Sequence, residues 1–322
     1  MKNFKFFAAT AALLACFAGA YGQTLEEVIE SYKKAADLNK SNPAEAAKAF
    51  EATINMATKV GSTADEQRKQ AQDAYATACL NIAKKSIQAK KYTQAYTELA
   101  SASEAASKYN VADVKSGIAS LLPNVELYAG VECYQGKKYD EAITYFDKVV
   151  ERNKMPAQAL YYKGLTLEKK GDEAGMIAAI QQAKAKAQAG TSESKWVANC
   201  DKKLCSHYMS KGVTAKQGGK LSNALQMFQS ALQYDAENSD LYLQLASVYN
   251  ATEKWGDALN MANKGVALVQ AEDGKYGFYY ETGLALAGQG KAAEACASFK
   301  KVKSGNYLES AKYQIEQVLK CE

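Results

Sequence analysis

A short phrase that places an alanine four residues before a phenylalanine recurs along the chain. Its clearest copies are residues 142–146, 224–228 and 295–299. Residues four apart lie on the same face of an α-helix. Each copy follows a second helical pattern with a glycine in its middle, at Gly130, Gly212 and Gly283. The pattern predicts a helix-turn-helix unit of about 34 residues, which cannot bury its own apolar face and must stack on further copies.

Alignment on the second-helix alanine predicts units that start near residues 27, 76, 123, 157, 205, 239 and 276. Glycine and polar residues separate the paired helices, and the three prolines lie near helix starts or between units. Residues 103–122 and 185–204 are interpreted as insertions. Residues 306–320 have helical periodicity and are predicted to cap the last unit. No β-alternation of useful length is present, so the predicted fold is all-α.

The array resembles the tetratricopeptide repeat family over nearly all of residues 23–322. The unit from Ser239 carries the family pattern in its first helix, with Leu245 and Ala246 among the matching positions. The unit from Cys205 carries it in its second helix, through Ala224 and Phe228. The resemblance implies a single right-handed α-solenoid whose usual role is to hold a partner protein.

The first 22 residues are typical of a secretory signal peptide. Lys2 and Lys5 precede an apolar stretch at residues 6–18, and small residues follow it. The stretch is shorter than the roughly 20 apolar residues that a membrane-spanning helix needs. Cleavage is predicted before Gln23 or, alternatively, after Ala20. These features predict export to the periplasm or association with the outer membrane, with secretion as a further option.

Lipidation is an alternative fate for the same segment. Residues 13–16 read Leu-Leu-Ala-Cys, which resembles a bacterial lipobox with Cys16 as the lipidated residue. The apolar stretch continues past Cys16, which favours ordinary cleavage. Membrane anchoring is therefore predicted only if Cys16 is lipidated.

The net charge of the chain bears on the kind of partner it can bind. The net charge of +5 falls to about +3 once Lys2 and Lys5 leave with the leader, and the remaining charge is scattered. This argues against a nucleic-acid partner.

Of seven cysteines, Cys79, Cys133 and Cys296 occupy predicted buried positions, where cysteine behaves as a small apolar residue. Cys321 is a candidate for intermolecular pairing.

The chemistry of an active site is not evident in the sequence. No glycine-rich phosphate loop, nucleophile elbow or His-Glu-x-x-His motif is present. His207 is the one histidine and cannot form a histidine-rich metal site, so a surface role is expected for it. Acidic residues follow the predicted solvated helix faces. We therefore expect no enzymatic activity, no cofactor and no metal.

The resemblance also implies which residues would line a partner-binding groove, because the family uses set positions of each first helix. Carried onto this chain, these positions are Leu80, Asn81, Lys84, Leu127, Tyr128, Tyr134, Tyr161, Tyr162, Met209, Leu243, Gln244, Asn250 and Tyr280. The family members that clamp a terminal carboxylate use lysine and asparagine at places that are mostly apolar or aromatic here. A carboxylate clamp is therefore not expected.

Tyrosine, leucine and methionine in the predicted groove suit an apolar or amphipathic protein segment. The sequence-based hypothesis is a non-catalytic interaction scaffold of the bacterial cell envelope. Two alternatives remain open at this point. One is an envelope lipoprotein that captures an oligosaccharide or a peptide, and the other is a structural protein that self-associates through its end repeats.

Overall fold

The computed structural model describes residues 23–322. The predicted signal peptide, its cleavage sites and Cys16 lie outside the described residues or at their edge. The described part of the chain forms fifteen α-helices, and the prediction of an all-α fold is confirmed. Their bounds are α1 Leu25–Ser41, α2 Pro43–Val60, α3 Asp65–Gln88, α4 Tyr92–Lys108, α5 Ala112–Gln135, α6 Tyr139–Arg152, α7 Pro156–Lys170, α8 Glu173–Ala189, α9 Lys195–Gln217, α10 Leu221–Leu232, α11 Ser239–Ala251, α12 Trp255–Leu268, α13 Tyr276–Gly288, α14 Ala292–Phe299 and α15 Leu308–Tyr313.

Consecutive helices pack against one another in two compact units. The first unit ends at Met155 and contains α1–α6, and the second begins at Pro156 and contains α7–α15. Odd-numbered helices also contact the next odd-numbered helix, as α1 contacts α3 in the first unit and α11 contacts α13 in the second. In each unit the odd-numbered helices therefore form one layer. We call the face of this layer the odd-helix surface of that unit.

The glycines at the centre of the first helices let phenylalanine rings pack directly on the helix backbone. A Cβ atom added to Gly130 would lie 2.6 Å from a ring carbon of Phe146. The equivalent distance is 2.5 Å from Gly212 to Phe228 and 2.5 Å from Gly283 to Phe299. All three phenylalanines are fully buried. Contact between the glycine of the first helix and the phenylalanine of the second thus joins the two helices of a pair.

The two predicted insertions are mostly helix, so the extra residues lengthen helices rather than loops. Residues 112–122 form the start of α5, and residues 195–204 form the start of α9. Pro123 lies inside α5 and is buried, although proline usually marks a helix boundary. Packing of Val114 and Ile118 in the core holds the extra turns of α5.

Capping side chains fix several helix starts. The side-chain oxygen of Asn42 accepts a hydrogen bond from the backbone N–H of Glu45 at 3.3 Å, with Pro43 as the first residue of α2, as predicted. Glu193 caps α7 from 35 residues away. Its carboxylate accepts the N–H groups of Ala157 at 3.1 Å and Gln158 at 2.9 Å. The start of α7 is therefore fixed by a contact that no local sequence pattern indicates.

The end of the chain closes the last helical pair. Residues 306–320 were predicted as one capping helix, whereas α15 has six residues and continues as a π-helical turn at Gln314–Val318. Ile315 and Leu319 pack on the cluster that contains Phe299 and Ala295. The segment therefore covers apolar surface of α13 and α14, although its helix is shorter than predicted.

The cysteines differ in part from the sequence-based interpretation. Cys296 forms a disulfide with Cys321, so the expectation that Cys321 pairs between molecules is wrong for this structure. Cys79 is partly exposed, while Cys133, Cys200 and Cys205 are buried and free. Burial raises the pKa of the Cys133 thiol to about 11. A buried thiol with a raised pKa is a poor nucleophile, which agrees with a structural role.

Candidate functional site

All thirteen predicted groove residues lie on odd-numbered helices, but they differ in how far they reach solvent. In the first unit Tyr128 is exposed over 43% of its surface. Its ring stacks on Tyr92, with centroids 5.0 Å apart. Lys84 is exposed, and the Asn81 amide donates to the side-chain oxygen of Asn39 at 3.3 Å. Tyr134 is partly buried, and its ring lies 6.2 Å from that of Tyr139.

Two predicted groove residues of the first unit are core residues. Leu80 is 5% exposed and Leu127 is 1% exposed. A Cβ atom on Gly117, at the start of α5, would lie 3.0 Å from Leu80. The extra turns of α5, which the sequence analysis treated as an insertion, therefore cover Leu80. Neither leucine is available to a partner.

In the second unit, Tyr161 and Tyr162 form an aromatic cluster with Trp196. The Trp196 ring lies 5.1 Å from that of Tyr161 and 5.9 Å from that of Tyr162. Trp196 belongs to the early turns of α9 and was missed by the sequence analysis. Both tyrosines are partly buried, and Met209 packs beside the core that contains Phe228. These three side chains contribute to packing as well as to the odd-helix surface.

A polar cluster joins α9, α11 and α13 on the odd-helix surface of the second unit. The ammonium of Lys216 donates to Oε1 of Gln244 at 3.0 Å and to Oγ of Ser247 at 2.8 Å. Nδ2 of Asn250 donates to Oε2 and to the backbone oxygen of Glu281, at 2.8 Å each. Gln244 and Asn250 were predicted groove residues, whereas Glu281 was not identified.

Burial sets the electrostatics of this cluster. Glu281 is 5% exposed, and its burial raises the pKa of its carboxyl above the usual value. Burial also lowers the pKa of the Lys216 ammonium, which is half-buried. Asn250 is 7% exposed, so its amide is a structural group rather than a partner contact, and its side-chain oxygen has no hydrogen-bond partner in the described chain. Lys216, Gln244 and Ser247 are the members that are partly exposed.

The raised pKa of Glu281 gives the first testable prediction. A carboxyl whose pKa is higher in the folded state contributes stability at acidic pH and loses it as the pH rises through the folded-state pKa. We therefore expect Glu281→Gln to be more stable than the wild type at pH 7. This difference should shrink as the pH falls towards 4.5. Thermal unfolding of both proteins between pH 4.5 and 8 tests this, and a gap that widened on acidification would contradict it.

Leu243 and Tyr280, the remaining predicted groove residues, meet a side chain from the C-terminal segment. The ring of Tyr307 lies 5.3 Å from that of Tyr280. A Cβ atom on Gly277 would lie 3.0 Å from both Leu243 and Tyr307. The absence of a side chain at Gly277 therefore lets these groups pack together. In this conformation, Tyr307 covers the odd-helix surface of α11 and α13.

A polar cleft of about 410 Å³ lies where the turn between α7 and α8 meets α9. It contains His207, whose Nε2 lies 3.2 Å from the Glu173 carboxylate. Glu173 is also paired with Lys211 at 2.5 Å, and Lys211 holds the pKa of this carboxyl below its usual value. Residues 23–322 contain no group of three potential metal ligands. The charges of the cleft are used to link α8 to α9.

Paired helices that stack through an odd-helix layer define a helical-repeat protein. Two family models, both described as tetratricopeptide repeat, match residues 133–191 and 215–275. These two segments are therefore tetratricopeptide repeats, and the resemblance drawn from the sequence is confirmed. No curated protein matches the chain. In the described residues no helix is long and apolar enough to cross a membrane.

Solved structures of similar fold include a tetratricopeptide repeat protein of Bacteroides fragilis, BF2334. It is 18% identical, with a TM-score of 0.42, and the match covers 75% of this chain and 97% of the other. MamA from Desulfovibrio magneticus is 16% identical, with a TM-score of 0.32 and coverage of 60% and 96%. TTC0263 from Thermus thermophilus is 20% identical, with a TM-score of 0.24 and coverage of 62% and 95%. These values are too low to indicate a function.

Tetratricopeptide repeats suggest a scaffold for protein–protein interaction. Such repeats stack into extended surfaces that bind other proteins. Proteins of this class are generally non-catalytic. The odd-helix surface is therefore the candidate site.

Proposed function

We propose that this protein is a non-catalytic scaffold of the bacterial cell envelope that binds a segment of a partner protein on the odd-helix surface of its second unit. Export through the predicted leader accounts for the envelope setting. The partner segment is amphipathic, because the surface offers Met209 and Leu243 beside the polar pair Lys216 and Gln244. Large apolar side chains next to a few fixed polar groups are the usual composition of such a site.

The observation that carries the proposal is the environment of Lys216. Its ammonium is half-buried, yet it donates only to the neutral oxygens of Gln244 and Ser247. A cation that is partly removed from water without a contacting carboxylate lowers stability, as the reduced pKa of Lys216 reflects. A polar or acidic group on the partner would complete its coordination and offset this cost.

Site-specific photo-crosslinking in cells tests the location of the site. A photoreactive residue placed at Met209 or Gln244 should capture the partner, whereas one placed at the exposed Lys264 of α12 should not. Lys216→Ala should reduce the yield from Gln244 at least fivefold, and Lys264→Ala serves as the matched control. Equal capture from Lys264, or a yield that does not depend on Lys216, would contradict the proposed site.

Mass spectrometry of the protein purified from cells tests the envelope setting. A chain that begins at Gln23 would support export with ordinary cleavage. A lipid-modified Cys16 at the N-terminus would support export with membrane anchoring. An intact leader on protein recovered from the cytoplasm would contradict both and remove the envelope from the proposal.

A further inference from the structure

The C-terminal cap, residues 300–322, occupies part of the proposed partner site. Tyr307 lies over Leu243 and Tyr280, both of which belong to the odd-helix surface. Burial raises the pKa of the Tyr280 hydroxyl, and an interaction with Ser310 in α15 lowers it in part. Tyr307 is buried enough for its pKa to be raised, with Glu281 adding to the effect. An aromatic side chain of the protein itself thus fills the place where a partner's apolar group would bind.

The cap is held by a covalent link at its far end. The disulfide between Cys296 and Cys321 joins α14 to the last two residues of the chain, with Cα atoms 5.8 Å apart. The ammonium of Lys300 donates to the backbone oxygen of Glu322. The backbone N–H of Cys321 donates to the backbone oxygen of Ile315 at 2.9 Å. Among the described residues, this is the one disulfide. It ties down the cap and no other part of the described chain.

Apart from that link, the cap is held by one short helix and by apolar packing in which Val302 and Ala311 are its buried residues. Its helix α15 has six residues, and Ala311 is the residue it fully buries. Isolated helices of this length are unstable in water. Tyr313 is 60% exposed and Val318 is 51% exposed, so the outer face of the cap is partly apolar. A short helix with a partly apolar outer face gains from a covalent tether that holds it in place.

We propose that the C-terminal cap is a redox-controlled plug of the partner site, closed by the Cys296–Cys321 disulfide and opened by a dithiol reductant. One thiolate of the reductant attacks the sulfur of Cys321, a partly exposed residue, and displaces the Cys296 thiolate. The second thiol of the reductant then displaces Cys321 and closes the reductant's own disulfide. Two electrons and two protons pass to the cysteines, which end as free thiols. That the opened site then binds a partner protein rests on the proposed function.

Hydrogen–deuterium exchange of the purified protein, with and without dithiothreitol, tests the plug in the absence of any partner. Reduction should speed exchange at least tenfold in residues 308–318 and measurably in residues 276–284. Residues 157–189 should not change and serve as the internal control. Cys321→Ser should reproduce the reduced pattern without dithiothreitol. Exchange in residues 308–318 that is unchanged by both treatments would overturn the proposal.

A peptide of residues 303–313 tests what the opened site accepts. The double variant Cys321→Ser, Tyr307→Ala lacks both the disulfide and the ring that covers the site, and it should bind this peptide. The oxidised wild-type protein should bind it at least tenfold more weakly. A peptide with Tyr307→Ala is the matched control and should lose binding to the double variant. Equal binding of the two peptides, or equal binding to both proteins, would overturn the role of Tyr307.

The two proposals can fail separately. If reduction opens the cap but a photoreactive residue at Gln244 captures nothing, the redox-controlled cap is supported and the proposed partner site is contradicted. Capture from Gln244 in the oxidised protein, together with unchanged exchange, would support the partner site and overturn the plug.

Discussion

Arg152→Ala is expected to cost about 3–5 kcal/mol in the free energy of unfolding. Arg152, in the last turn of α6, donates from Nε to the Glu126 carboxylate at 2.6 Å and from Nη2 at 3.0 Å. Glu126 lies in α5 and has no exposed surface. Removal of the guanidinium would leave a buried carboxylate without its cation. Urea denaturation followed by circular dichroism measures the loss.

Two further variants identify the cause of that loss. The double variant Glu126→Met, Arg152→Met removes both charges and should be more stable than Arg152→Ala, because no buried carboxylate is then left without a cation. Lys34→Ala breaks an exposed pair with Glu30 on α1 and should leave stability almost unchanged. A loss for Arg152→Ala as small as that for Lys34→Ala would contradict the prediction.

The buried acids show where prediction from the sequence ended. Helical periodicity and the recurring alanine–phenylalanine phrase were sufficient to predict the all-α repeat fold, because these patterns are local. Acidic residues were expected on solvated faces, yet Glu126 is fully buried and Glu281 nearly so. Their burial depends on Arg152, which is 26 residues from Glu126, and on Asn250, which is 31 residues from Glu281. No local pattern carries that information.

The candidate site was predicted in part for the same reason. The positions implied by the family resemblance fell on the odd-numbered helices, so the choice of helices agreed with the layer found. The exposure of each side chain did not follow, because the early turns of α5 cover Leu80 and the C-terminal Tyr307 covers Leu243 and Tyr280. Both covering elements come from segments that the repeat pattern does not describe. The Cys296–Cys321 pairing was missed because partners in a disulfide cannot be deduced from spacing alone.

Phe228→Ala is expected to cost about 3–5 kcal/mol, the usual range for loss of a fully buried phenylalanine side chain. The ring has no exposed surface and lies against the backbone of α9 at Gly212. It also shares a core with Leu241 and Leu245, which belong to the next pair. The truncation would thus open a cavity between two helical pairs. Thermal and urea unfolding of the purified protein measure the cost.

Gly212→Ala tests the same contact from the other side. The added methyl group would lie 2.5 Å from the Phe228 ring, so we expect a loss of about 1–3 kcal/mol from overpacking. A smaller side chain at position 228 should relieve the clash. Gly212→Ala combined with Phe228→Leu should therefore lose less free energy of unfolding than the sum of the losses in the two single variants. Gly256→Ala in α12 is the matched control, because no atom lies within 4 Å of the added methyl group. It should be neutral or stabilising, since alanine is the better helix former. Strict additivity of the Gly212 and Phe228 variants, or equal losses at Gly212 and Gly256, would contradict the view that this contact joins the paired helices.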